Sequence, residues 1–101
     1  MKLSEIAHSR TGDKGNISVI SVIAYEMDHY KIIKDQVTPQ RVKEWFKEIV
    51  HGEVKRYEIP SLGALNFVLD NALGGGVTKS LAMDMHGKSL SSALLELEIS
   101  E

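Results

Sequence analysis

Apolar residues follow strand spacing in four segments of the chain. Ile17–Ala24 is rich in Ile and Val without clean alternation, which predicts a central strand covered on both faces. Leu3–His8 predicts a strand before it, and Val54–Ile59 predicts another that Pro60 ends. Residues 81–85 alternate as on a half-buried strand. The pattern therefore predicts four strands.

One helix is predicted from its start signal and its apolar spacing. The Thr38 hydroxyl can accept a hydrogen bond from a free amide, and Pro39 fits the first helical position, where its missing N–H costs nothing. Gly52 is expected to end this helix. Its apolar face consists of Val42, Trp45, Phe46, Ile49 and Val50.

Three further helices are predicted. Asp28 can cap a short helix that runs to about Gln36. A second spans residues 65–72 and is stopped by the triple glycine 74–76, and Ser89 can cap a third. Their inward residues are Tyr30 and Ile33 in the first, Leu65, Val68, Leu69 and Ala72 in the second, and Leu90, Ala93, Leu94 and Leu97 in the third.

The predicted order is β-β-α-α-β-α-β-α. Four strands with helices on at least one face predict an α/β (α+β) two-layer sandwich, for which a ferredoxin-like arrangement is the natural expectation. Strand–helix–strand links of this length predict right-handed crossovers. The length of 101 residues suits a single domain covering 1–101.

Composition narrows the function. The net charge is −2, and Lys and Arg are scattered among Asp and Glu, so nothing attracts a nucleic acid over a broad face. The absence of cysteine excludes disulfides, thiolate chemistry and Cys-based zinc sites. The four histidines lack metal-ligand spacing, so no metal site is expected. No apolar run has the length of a signal peptide or membrane span, which predicts a cytoplasmic protein with no membrane partner.

The first candidate site is the segment Arg10-Thr11-Gly12-Asp13-Lys14-Gly15-Asn16, predicted to be a loop between two strands. Glycine leaves backbone amides uncovered, and such amides can bind an anion with help from Arg10 or Lys14. Asp13 could serve as an acid, a base or a ligand. The alternative is an ordinary polar turn, which the residue types alone favour.

The second candidate is Gly74-Gly75-Gly76, which lacks the Gly-Lys-Ser/Thr of a P-loop and follows a predicted helix rather than a strand. It could let a ligand approach the backbone closely, or it could be a plain connection. Asn66 is the third candidate, as a helix cap or as an amide that reaches a ligand.

These segments together resemble a known family. Ala7–Asn16, Arg56–Phe67 and Ala72–Thr78 are similar, in order and spacing, to three blocks of the AtuA-like (acyclic terpene utilisation) proteins, in their C-terminal ferredoxin-like domain. The large N-terminal domain of that family is missing here, so the chain is expected to be a free-standing form. The resemblance implies a link to catabolism of terpenoid or branched-chain acyl-CoA, and it assigns no catalytic residue. It marks Arg10, Gly12, Asp13, Lys14, Gly15, Asn16, Asn66, Gly74, Gly75 and Gly76 as candidate ligand-binding positions.

Three hypotheses follow. The chain could be an accessory subunit that docks on a separately encoded large AtuA-like protein and completes a shared site. It could instead bind a small ligand or anion, CoA or phosphate, alone or as a homo-oligomer. It could also be a small hydratase or lyase that uses Asp13 and Lys14. No cofactor is expected, although a CoA thioester is a candidate ligand. The shared-site hypothesis predicts that the three segments meet at one end of the sheet.

Overall fold

The structure, a computed structural model, describes residues 1–14, 17–47, 50, 52–70 and 90–100, with the side chains of Asp13 and Lys14 left out. Its strands are β1 (Ala7–Lys14), β2 (Ile17–Ala24), β3 (Val54–Ile59) and β4 (Ala64–Asp70). Its α-helices are α1 (Met27–Gln36), α2 (Pro39–Trp45) and α3 (Leu90–Leu94), and short 3₁₀ turns span Leu3–Glu5 and Pro60–Leu62.

The four strands form one antiparallel sheet in the order β1-β2-β4-β3. Because β2 and β3 both run antiparallel to β4, they are parallel to each other. They are joined by α1 and α2, with β4 between them, which is the split strand–helix–strand unit of ferredoxin-like folds. The four-stranded α+β fold is thereby confirmed.

The helices pack on one face of this sheet. Alternation along β2 and β4 sends every second side chain to that face, where Ile20, Val22 and Phe67 are fully buried. The same core contains the apolar residues of all three described helices, including Ile33, Val42, Leu90 and Leu94. The opposite sheet face receives no described helix.

Several local predictions are confirmed. β2 and β3 have the predicted bounds, 17–24 and 54–59. Thr38 caps α2, since its hydroxyl accepts a hydrogen bond from the Arg41 amide at 3.2 Å. Tyr30 and Ile33 face inward from α1 as expected.

The predicted helix over residues 65–72 is wrong, because residues 64–70 form strand β4. Leu65 and Leu69 fit helical spacing, but with Phe67 they also fit an alternating strand, and these three are the fully buried residues. Hydrogen-bonded pairing with β2 on one side and with β3 on the other makes this segment a strand, although its apolar spacing also fits a helix. The described order is β-β-α-α-β-β followed by α3, and the predicted strand at 81–85 lies outside the described residues.

The predicted strand Leu3–His8 and the predicted loop after it are also wrong. Leu3–Glu5 is a 3₁₀ turn, and β1 runs from Ala7 through the supposed loop to Lys14. Gly12 and its polar neighbours have low strand propensity, but the continuous pairing of β1 with β2 outweighs it. This pairing runs from Ala7 opposite Ala24 to Lys14 opposite Ile17. The candidate segment is therefore mostly a strand.

Two helix boundaries differ from prediction. The cap of α1 is Glu26 rather than Asp28, which lies in the first turn, where a carboxylate suits the positive end of the helix dipole. α2 ends at Trp45 instead of Gly52, because Phe46 leaves helical geometry. The chain still turns so that Phe46 and Val50 are buried, whereas Trp45 is 43% exposed.

The two ends of the described chain lie against each other. The Leu3 amide donates to the Leu97 carbonyl at 2.8 Å, and the Lys2 ammonium lies 3.0 Å from the Glu96 carboxylate. The hydrogen bond and the charge of Glu96 raise the pKa of Lys2 above its usual value. These contacts position α3 against β1 and β2.

Arg56 ties β3 to the end of α1, and this contact gives a test of the helix layer. Its guanidinium donates to the Lys34 carbonyl at 2.6 Å and to the Val37 carbonyl at 3.0 Å. We expect Arg56→Ala to lower the free energy of unfolding by about 1.5–3 kcal/mol, as for hydrogen bonds to a charged group. Urea titration measures the change. The control Lys55→Ala, at the exposed neighbouring position, should change the free energy of unfolding by less than about 0.5 kcal/mol. Equal losses for the two variants would contradict the stabilising role of the Arg56 hydrogen bonds.

Candidate functional site

The sheet face away from the described helices, called the open face, contains two of the predicted site segments. Alternation and strand register assign its members. They are His8, Arg10 and Gly12 of β1; Ile17, Val19, Ser21 and Ile23 of β2; Ala64, Asn66, Val68 and Asp70 of β4; and Lys55, Tyr57 and Ile59 of β3.

One row of polar residues crosses the whole open face. Arg10 pairs with Ser21, Ser21 with Asn66, and Asn66 with Tyr57. Arg10 and Asn66 come from two different predicted segments, and the sheet places them two strands apart, about 10 Å across the sheet. These two segments therefore lie near each other in the middle of a sheet face. The sequence had predicted that they would meet at one end of the sheet.

A hydrogen bond at the centre of this polar row orients the Asn66 side chain. The Ser21 hydroxyl donates to Asn66 Oδ1 at 2.7 Å, and both residues are half-buried. Because the amide oxygen is engaged, the amide NH₂ of Asn66 remains as a pair of donors. The centre of the row therefore presents donors to whatever contacts the face.

Arg10 adds positive charge at the β1 end of the row. Its side chain is exposed, and no carboxylate in the described part of the chain pairs with it. A guanidinium offers five donors in a fork that matches a carboxylate or phosphate. Chemically, the row suits a group that carries negative charge and accepts hydrogen bonds.

Two apolar rows flank the polar one. On one side, Val19 and Val68 pair across the central strands, and Lys55 ends this row on β3. On the other side, Ile23 pairs with Ala64, and Ala64 with Ile59. Burying this polar pair under a partner costs free energy unless the partner forms hydrogen bonds with it. The open face therefore favours a partner or ligand with matching polar groups.

Gly12 leaves room beside Arg10 on this face. Within the described part of the chain, a Cβ added at Gly12 would meet no heavy atom within 4 Å, and the φ of Gly12 does not lie in the left-handed region. The fold therefore gives no backbone reason for glycine at this position. The vacant space borders Val19, which pairs with Gly12 across the ladder.

The remaining predicted site residues are placed only in part. The backbones of Asp13 and Lys14 end β1 opposite Ser18 and Ile17, and their side chains lie outside the described part of the chain. Gly15, Asn16 and the triple glycine Gly74–Gly76 also lie outside the described residues. The meeting of the third segment with the other two stays a prediction.

A family model described as the AtuA ferredoxin-like domain matches residues 1–100. The chain belongs to this family. The match spans the two strands that place Arg10 and Asn66 in one row, so the resemblance seen in the motifs and the observed sheet agree. No curated protein and no solved structure is significantly similar to the chain.

Outside the open face, this AtuA ferredoxin-like domain has a shallow groove of about 460 Å³ between α2 and the C-terminal segment. Trp45 lines it and donates its indole N–H to the Ala93 carbonyl at 3.0 Å. Of the predicted site residues that the structure describes, none lines this groove. Within the described ranges, no three His, Asp or Glu side chains are grouped to hold a metal ion, and no helix is long and apolar enough to cross a membrane.

Sequence reasoning missed Ser21 and Tyr57 of the AtuA ferredoxin-like domain. Ser21 interrupts the apolar run of β2, which was a visible signal, but its partner could be found only by treating residues 64–70 as a strand. The Gly-Asn pair at 15–16, between two runs of strand length, was a second signal, because such dipeptides are typical of two-residue hairpins.

Two glycines provide a matched test of which positions the domain needs for folding. We expect Gly12→Ala to raise the free energy of unfolding by about 0.5–1 kcal/mol, since alanine fits the strand better and its Cβ meets no described atom within 4 Å. A Cβ at Gly52 would lie 2.5 Å from the Asp70 carbonyl oxygen, so Gly52→Ala should lower it by about 1–3 kcal/mol. Thermal and urea unfolding measure both. A large loss at Gly12 would show that the fold, not a contact on the open face, requires that glycine.

Proposed function

We propose that the chain is an accessory subunit of an AtuA-like system, which docks through its open face on a separately encoded large AtuA-like protein. The shared site would serve cytoplasmic catabolism of terpenoid or branched-chain acyl-CoA compounds. The observation that carries the proposal is that motif residues Arg10, Gly12 and Asn66 lie together on the one sheet face that no described helix covers. Family membership supports the AtuA context of the partner.

The composition of the open face supports docking. Exposed large apolar side chains are found there at Ile17, 39% exposed, and Tyr57, 53% exposed. Aromatic residues and Arg are enriched at interfaces, and a central polar pair gives a partner its register. The vacancy at Gly12 would admit either a side chain of the partner or part of a ligand held between the two proteins.

Complex formation with the large AtuA-like protein tests the proposal. Gly12→Glu places a charged side chain on the open face, and we expect it to weaken the complex by at least about tenfold, or 1.4 kcal/mol. Co-purification followed by calorimetric titration measures the affinity. Lys43→Glu, at an exposed position of α2, is the matched control and should leave the affinity unchanged.

Two results would defeat the docking proposal. One is the absence of any complex at micromolar concentration. The other is equal weakening by Gly12→Glu and Lys43→Glu, which would place the contact away from the open face.

The exposed guanidinium of Arg10, which pairs with no carboxylate in the described part of the chain, favours a second candidate, a stand-alone module that binds a small anion, alone or as a homo-oligomer. Binding to the folded state alone raises apparent stability. If this second candidate is correct, CoA and inorganic phosphate, each tested by thermal shift, raise the melting temperature of the wild type and not that of Arg10→Gln. Lys43→Gln serves as the charge-matched control. An equal shift in Arg10→Gln would remove the candidate.

A further inference from the structure

We infer that Arg10, Ser21 and Asn66 form a binding site for an organic carboxylate with a short apolar body, in which Ser21 is a positioning residue. The inference rests on the proposed function in one respect, namely that the open face is the functional surface of the domain. It adds the class of ligand and a role for Ser21.

The spacing of the polar row leaves room for a small group at its centre. Arg10 and Asn66 stand on either side of Ser21, one strand away in each direction. Serine is the smallest side chain with a hydroxyl, so Ser21 itself fills little of the space between Arg10 and Asn66. The long Arg10 side chain can extend over this space, and a group there would have the guanidinium on one side and the Asn66 amide on the other.

The donors of the row match a carboxylate. Ser21 holds Asn66 Oδ1 at 2.7 Å, which turns the NH₂ group into the part of the amide that is available. A guanidinium on one oxygen edge and an amide NH₂ on the other would satisfy a planar anion with one negative charge. Without the Ser21 hydroxyl the amide could rotate and present its oxygen, which repels an anion.

The surroundings of the row match an apolar body. Val19 and Val68 lie in the neighbouring row, and the vacancy at Gly12 opens beside them. A branched chain of a few carbons attached to the carboxylate would lie on these two valines and remove apolar surface from water. A phosphate group has no apolar body to place on these two valines. Arg10 is the one cation of the described part of the polar row, whereas Lys55 lies in the neighbouring row beside Val68.

Side-chain NMR signals of Asn66 in the free chain test the inference. The probes are 3-methylbutyrate, its uncharged amide and inorganic phosphate, and Asn66→Leu assigns the NH₂ pair. We expect 3-methylbutyrate to shift the Asn66 NH₂ signals in a saturable way, with no saturable shift from the other two. No shift from 3-methylbutyrate, or equal affinity for phosphate or for the uncharged amide, would overturn the carboxylate assignment.

Variants separate positioning from general stability. Ser21→Ala should weaken 3-methylbutyrate binding by about tenfold, Ser21→Thr should restore it because the hydroxyl returns, and Arg10→Gln should abolish it. Lys43→Gln is the control with unchanged binding. Because Arg10 is exposed, its variant keeps the inference testable even if a Ser21 variant is unstable. Unchanged binding in Ser21→Ala would remove the positioning role.

The two proposals fail separately. A chain that binds 3-methylbutyrate but forms no complex with the large AtuA-like protein would refute the docking function and leave the carboxylate site standing. A chain that forms the complex while 3-methylbutyrate leaves the Asn66 signals unchanged would refute the carboxylate site alone.

Discussion

The antiparallel pairing of β2 with β4 is the interaction on which the rest of this domain depends. It joins Ile17–Ile23 to Ala64–Asp70 at the centre of the described sheet, and on their other sides β2 pairs with β1 and β4 pairs with β3. Strict alternation follows from this pairing, so Ile20 and Phe67 lie under the helices while Ser21 and Asn66 lie on the open face. A register slip of one residue would bury the polar pair and expose the core.

The same pairing explains which parts of the fold the sequence could predict. The bounds and central place of β2 were predicted correctly, because a run of Ile and Val between polar segments has one plausible strand interpretation. Its expected cover on both faces was not found, since only one face of β2 lies under the described helices. β4 was not, because Leu65 and Leu69 satisfy the helical period as well as the strand period, and the choice is made by strands distant in sequence. For α2, Thr38 and Pro39 fixed the start locally, while the end depended on how Phe46 packs.

The residues of the candidate site also differ in whether they could be predicted from the sequence. Arg10, Gly12 and Asn66 were predicted from family motifs, which carry information about function without knowledge of the pairing. Ser21 interrupts an apolar run and is visible in the sequence, but its partner Asn66, like the place of Tyr57 beside Asn66, is recognisable only once the register is known. Arg10–Lys14 was interpreted as a loop because its glycine and polar residues have low strand propensity. Such propensity is weak evidence, and the eight paired positions between β1 and β2 outweigh it.

The central claim is that the open face, rather than the helix layer, is the surface at which this AtuA ferredoxin-like domain works. Because the chain contains no cysteine, a single thiol can report on either surface. The most direct measurement is the rate of thiol labelling of Tyr57→Cys and of Lys43→Cys, with and without the large AtuA-like protein. The account predicts that the partner slows labelling at position 57 by at least about tenfold and leaves position 43 unchanged. Protection at 43 with none at 57 would contradict it.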